Sequence, residues 1–330
     1  MPSLPTATLR VASIPFAPHR GDIEHNVAHV VARIEQAALN GVGLAVFPEA
    51  CLTGGMEGVA SPGARTTRRS QVQALAESID GQPMRAVADA VERTGVAAGV
   101  GLIERASNGE LYSSYAVCLP GGVRHVHRKL HAHGQRHIAR GNRFTVFDTR
   151  WGWRLAVLVG GDNYLVENAR MAALLGAVLL VAPHAQTGAT ESADATATAT
   201  IAWMRRALPS RALDNGMFVV YSDGTQGGAD KGESGAAAIV DPCGHVIARG
   251  TQGDGMIAAD LDPALIGTSP GHRWLEARRP DLYARLAAED ARADAHEAQS
   301  CFAAFEPRTA SARGSVAVSF AIVGRDRLRF

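Results

Sequence analysis

The stretch Trp151–Pro183, WGWRLAVLVGGDNYLVENARMAALLGAVLLVAP, decides how this chain is read. An apolar run, Leu155–Val159, enters the glycine pair Gly160-Gly161. Apolar residues at helical spacing follow, and a second apolar run, Ala177–Val181, closes the unit. The pattern predicts strand, sharp turn, helix and strand. Such a turn lifts one side chain off a buried sheet and sets it beside the amides that open a helix, where an acyl-transfer enzyme holds its nucleophile. Gly160 stands at the apex with Gly161, Asp162, Asn163 and Tyr164 behind it, so the place is right and the nucleophile is absent.

Upstream, Thr8–Ile14 reads as a strand and Ile23–Leu39 as an amphipathic helix stopped by Asn40-Gly41. Gly43–Phe47 is an apolar strand that delivers Pro48-Glu49 at its carboxyl end, the end where open parallel sheets carry their sites. Helices over Gln71–Ser78 and Met84–Arg93 flank the breaker Asp80-Gly81-Gln82-Pro83. Strands follow at Val96–Ile103, Leu111–Leu119 and Val123–Lys129. The last two should form a hairpin through Pro120-Gly121-Gly122, with Lys129 at its end.

Downstream of a short strand at Phe144–Phe147 and the central unit, Ala189–Thr200 is small and polar and reads as a lid or insertion. A helix over Ile201–Asn215, a strand at Met217–Ser222, a hairpin of Ala236–Val240 with His245–Ala248, and a strand at Met256–Leu261 complete the body. Two βαβα runs, each with an antiparallel hairpin, suggest two packed sheets with helices outside: an α/β fold, a four-layer α-β-β-α sandwich. Residues 1–286 form this domain, and 287–330 form a C-terminal tail expected to pack on the body or on a partner subunit.

With 330 residues, 46% of them hydrophobic, the chain can bury a large core without disulfides. Its 33 basic and 32 acidic residues nearly cancel, which removes any bulk electrostatic case for nucleic acid or an anionic membrane. Four scattered cysteines without a CxxC pair argue against a zinc finger or dithiol site and for reduced thiols. No segment is apolar for the length a bilayer needs, and MPSLPTATLR lacks a leader's pattern, so a cytoplasmic location is expected.

Glu49, Lys129 and the Gly160 elbow stand out together. A carboxylate beside an ammonium is what a thiol amidase needs to move protons and hold a tetrahedral oxyanion. In order and spacing, FPEACLTG (Phe47–Gly54), HRKLH (His127–His131), Trp151–Ala177, VAPH (Val181–His184), WMRRALPSRALDNGMFVV (Trp203–Val220), GAAAIVDPCGHVIA (Gly235–Ala248) and ARRPDLY (Ala277–Tyr283) resemble the nitrilase superfamily of carbon–nitrogen hydrolases. The resemblance implies the sandwich fold, no metal or organic cofactor, and pairing of subunits through helices beside the site. It further implies Glu49 as general base, Lys129 as oxyanion-stabilising lysine, and Asp162 as the aspartate of a Cys-x-Asp segment. Gly161, Asp162, Asn163, Tyr164 and His184 are the substrate-binding candidates. The expected ligand is a small amide, nitrile or carbamoyl-like compound, and the expected assembly a homodimer or larger homo-oligomer.

Two departures follow from the same comparison. The family's catalytic cysteine falls at Gly160 and its second glutamate at Gly134. Gln135 adjoins the lost glutamate but cannot act as an acid. Without a thiolate no acyl-enzyme forms, so ordinary amidase activity should be lost or replaced by Glu49/Lys129 acid–base chemistry. Three readings of Gly160 stay open: a repurposed, non-catalytic binding or assembly protein, an enzyme in which Glu49 activates water, or a deliberately changed cysteine. Loss of two catalytic positions favours natural divergence. Glu49–Lys129 can also be read as a purely structural ion pair. Cys51 invites consideration as a replacement nucleophile but suits buried filler. His125, His127, His131, His133 and His137 suggest a metal only weakly, with no carboxylate or cysteine beside them. Gly224–Gly235 lacks a phosphate loop's Gly-Lys-Ser/Thr ending and reads as a loop at the mouth.

Overall fold

The computed structural model describes residues 3–55, 68–132, 135, 137–185, 205–224, 236–251, 253 and 255–288. Gly134, His133, the Ala189–Thr200 segment, the Gly224–Gly235 loop beyond its first residue, and residues 289–330 of the tail lie outside the described residues.

Two six-stranded sheets carry the fold. The first contains β1 (Leu9–Ser13), β2 (Leu44–Val46), β3 (Ala97–Arg105), β4 (Leu111–Leu119), β5 (Val123–Arg128) and β12 (Ile257–Leu261), ordered β12-β1-β2-β3-β4-β5. The second contains β6 (Thr145–Asp148), β7 (Arg154–Val157), β8 (Leu179–His184), β9 (Phe218–Asp223), β10 (Ala236–Val240) and β11 (Val246–Thr251), ordered β11-β10-β9-β8-β7-β6. Parallel neighbours sit at the middle of each sheet, β1-β2-β3 and β7-β8-β9, and antiparallel pairs continue both edges.

Period-2 alternation builds the layers, because both faces of the central strands are buried. Leu44 and Val46, Leu155 and Val157, Leu179 and Val181, and Phe218 and Val220 meet in one core between the sheets. Ala45 turns the other way, onto a layer with Val30 and Ile34 of α1 (Ile23–Leu39) and Met84, Val87 and Val91 of α3 (Gln82–Thr94). Ala156, Leu180 and Val219 turn onto Ala169, Ala172 and Ala173 of α4 (Val166–Leu174) and Leu208 and Ala212 of α5 (205–215). Two sheets flanked by helices form the expected sandwich.

Boundaries differ where tertiary contacts override local pattern. Helix α2 (Arg68–Leu75) stops before the expected Ser78 because Glu77 is drawn into extended pairing: its N–H donates to Ile103 O, and its carbonyl accepts from Arg105 N. The segment after the glycine pair is not one helix. Gly160–Tyr164 is a 3₁₀ turn, Leu165 is extended, and only then does α4 begin. Strand β8 starts later than expected and runs on to His184, paired residue for residue with β9 through His184↔Asp223. No helix among the described residues is long and apolar enough to cross a membrane.

Candidate active site

Strand β2 ends at Val46, and Phe47-Pro48 carries the chain over the sheet's carboxyl end to Glu49, which is buried. Glu49 N–H donates to His184 O at 3.2 Å, tying the two sheets together at this point. Ala50 then takes a positive φ of 52°, rare for a residue with a Cβ. Gly101 makes this course possible, since any Cβ there would strike Ala50 N. Leu52 N donates to Gly101 O at 2.9 Å and Ile103 N to Thr53 Oγ1 at 3.0 Å, so the turn after Glu49 is bound to β3.

Lys129 follows β5 directly and reaches Glu49 Oε1 at 2.8 Å. Ser113 Oγ donates to the same oxygen, also at 2.8 Å. Sequence reasoning missed Ser113, although a signal was present. The turn at Pro120-Gly121-Gly122 sets Leu119 opposite Val123, each step back along β4 is a step forward along β5, and Ser113 therefore falls opposite Lys129. Lys129 N indeed donates to Ser113 O at 2.9 Å. Both members of the ion pair are buried, and Glu49 Oε2 has no hydrogen-bond partner among the described residues. A buried carboxylate oxygen without a donor is costly, and such atoms call for a functional explanation.

Gly160 is the third corner. Its φ is +50°, the left-handed region expected of a strained strand-to-helix elbow. A Cβ on Gly160 would lie 2.5 Å from Glu49 Oε2 and 2.7 Å from Lys129 Nζ. The unpartnered carboxylate oxygen and the ammonium thus both face the place where a side chain at position 160 would begin. Gly161 packs its backbone against His131, where a Cβ would come within 2.9 Å of the carbonyl oxygen.

Asp162 holds the elbow from below and is fully buried. Its carboxylate accepts from His131 N at 2.7 Å and Val159 N at 3.1 Å, and it meets His127 Nε2 at 3.1 Å. Burial favours the neutral acid, but the His127 hydrogen bond and charge, the His131 amide and nearby Lys129 outweigh it and hold the carboxyl below the usual range. Asn163 donates its amide to Leu158 O at 2.7 Å and to Gly160 O at 3.3 Å, and contacts His184 Nε2 at 3.2 Å. Asp162 and Asn163 therefore shape the turn. Tyr164 stands edge-on to the His184 ring at 6.3 Å between centroids.

His184 is buried between Asn163, Tyr164 and Tyr221. Burial first, and Lys129 second, push its pKa from 6.5 down to about 3 against the weaker pull of Asp162. Its folded pKa lies below the unfolded value, so between about pH 6.5 and 3 the unfolded chain binds a proton that the folded chain refuses. The contribution is whole above that window and declines as pH falls, by about 1.4 kcal/mol per unit. Urea unfolding of the native chain from pH 7 to 4 should show this slope, and His184→Gln should flatten it.

Cys51 is fully buried in the outer core of the first sheet, its sulfur between the N–H and C=O of Gly101, and burial pushes its thiol up to about 12. It is packing, as expected for a filler residue. His125 stacks on Phe147 at 3.9 Å, and His127 is held by Thr145 and Asp162. Gln135 Oε1 is buried without a hydrogen-bond partner among the described residues.

The carbon-nitrogen hydrolase family model matches residues 10–270. The chain is 30% identical over 284 residues to the "Hydrolase in pqqF 5′region" of Pseudomonas protegens, covering 84% of this chain and 91% of that one. It is 29% identical to an aliphatic nitrilase of Sinorhizobium fredii over 77% of this chain and 86% of the relative. A carbon–nitrogen hydrolase structure from Helicobacter pylori superposes with a TM-score of 0.73 at 19% identity, over 86% and 99% of the two chains. A variant of the Nesterenkonia sp. amidase solved with acrylamide superposes with a TM-score of 0.63 at 20% identity, over 84% and 97%. Fold, motif order and family match agree, and the chain belongs to the carbon–nitrogen hydrolase family, the nitrilase superfamily.

Proposed function

We propose that Glu49, Lys129 and the Gly160 elbow form a pocket for a small amide-, nitrile- or carbamoyl-like compound, and that thiol-based hydrolysis is lost there. The observation that carries this reading is the convergence on Gly160: an unpartnered carboxylate oxygen and an ammonium lie 2.5 and 2.7 Å from the position of a Cβ. A primary amide offers the complementary groups, an N–H for Glu49 Oε2 and a carbonyl oxygen for Lys129. The acrylamide bound by the Nesterenkonia relative is a ligand of this class. A second reading, hydrolysis by water that Glu49 activates, draws on the same free oxygen.

Glu49→Gln keeps the shape, replaces the acceptor oxygen partly by a donor and removes the charge. Calorimetric titration with acrylamide and propionamide should show saturable binding to the native chain and a loss of about tenfold or more in the variant. Unchanged affinity would place the ligand elsewhere. In the same reading the chain is a homo-oligomer, supported by apolar side chains on and beside α4, where Val166 is 53% and Leu174 40% exposed.

A further inference from the structure

We infer that His19, Asp22 and His25 form a binding site for a borderline divalent transition-metal cation, separate from the Glu49–Lys129 pocket. One ligand atom from each residue lies within 4.8 Å of the others, and all three side chains are exposed. The His19 and His25 rings lie parallel, 4.2 Å between centroids. Two imidazoles and one carboxylate are a donor set suited to Zn²⁺ and its neighbours, and three protein ligands leave positions for water. Zinc–nitrogen bonds of about 2.0–2.1 Å require donors about 3.3 Å apart, so the rings must tilt toward each other. Exposed side chains do this without disturbing the core.

The backbone beneath the three donors is already fixed. Asn26 accepts from His19 N at 2.8 Å and donates to His19 O at 2.7 Å and to Leu52 O at 3.1 Å. Gly21 N donates to Thr53 O at 3.0 Å, and Asp22 N to His19 O at 3.3 Å. Asp22 also caps α1, one oxygen accepting from His25 N at 3.1 Å, which leaves the other for a cation. The positive end of the helix works against a cation, and the Asp22 carboxylate offsets it. His29 is not one of the three donors, and Arg33 Nε reaches its Nε2 at 3.5 Å. His19 and Asp22 precede α1 and His25 lies in its first turn, and Gly21 and Asn26 tie this segment to Thr53 and Leu52, just past Glu49.

The test is calorimetric titration of the tag-free full chain with ZnCl₂, repeated on His19→Ala/His25→Ala and on Asp22→Asn. Asparagine caps a helix as well as aspartate, so that variant separates the cap from the ligand. The expected result is one equivalent of Zn²⁺ bound by the native chain, lost in the double variant and weakened about tenfold or more by Asp22→Asn. The metal should raise the unfolding temperature of the native chain and not of the double variant. No bound equivalent, or one that survives in the double variant, overturns the proposal.

Discussion

If thiol-based hydrolysis is lost at the elbow, as proposed, Gly160→Cys should give a chain that forms an acyl adduct with small amides and releases ammonia. The new sulfur would stand beside Glu49 and Lys129, whose polar ends already converge on the Cβ position. Room must be made, since 2.5 and 2.7 Å are shorter than non-bonded contacts allow, but the atoms that must move are the ends of flexible side chains. A non-glycine residue at φ +50° adds strain of about 1–2 kcal/mol, which a folded elbow tolerates. Removing the nucleophile from such a unit costs about a millionfold in turnover. Restoring it without a glutamate at Gly134 should recover part of that, at least about a thousandfold, read as ammonia release and as a mass increase of the protein. Absence of any adduct would mean that the pocket no longer admits an amide.

Lys129→Met should destabilise the fold by about 3–5 kcal/mol, the cost of a buried carboxylate stripped of its cation. Among the described residues, Glu49 would keep Ser113 as its one side-chain donor. Adding Glu49→Gln to Lys129→Met should return most of the lost stability, because the two buried charges are then removed together. Urea unfolding of the two single variants and the double variant measures the coupling. A loss under 1 kcal/mol for Lys129→Met would show that water reaches and solvates the pair, contrary to its burial.

The fold was legible because the central strands are apolar on both faces. Leu155–Val159 and Ala177–Val181 could only be buried strands once glycine and helical spacing separated them, and α1 was readable to its last residue from Asn40-Gly41. Glu49, Lys129 and Gly160 were legible as a set through family motifs, and the structure brings them within contact. Contacts that depend on register between elements were not. Ser113 required the β4–β5 pairing to be counted, and the Asp162–His127 contact joins β5 of the first sheet to the 3₁₀ turn that follows β7 of the second. The 3₁₀ turn was hidden because Asp162 and Asn163 bond back to Val159 and Leu158 instead of continuing a helix. The His19–Asp22–His25 cluster was passed over because its spacing spans a loop and a helix start.

The most direct measurement is ammonia release by the native chain from a panel of small amides, nitriles and carbamoyl compounds, before and after complete alkylation of its accessible thiols. Alkylation should change nothing, since position 160 at the elbow is glycine and Cys51 is sealed in the core. Turnover abolished by alkylation would contradict this expectation, for a thiol nucleophile would then be at work.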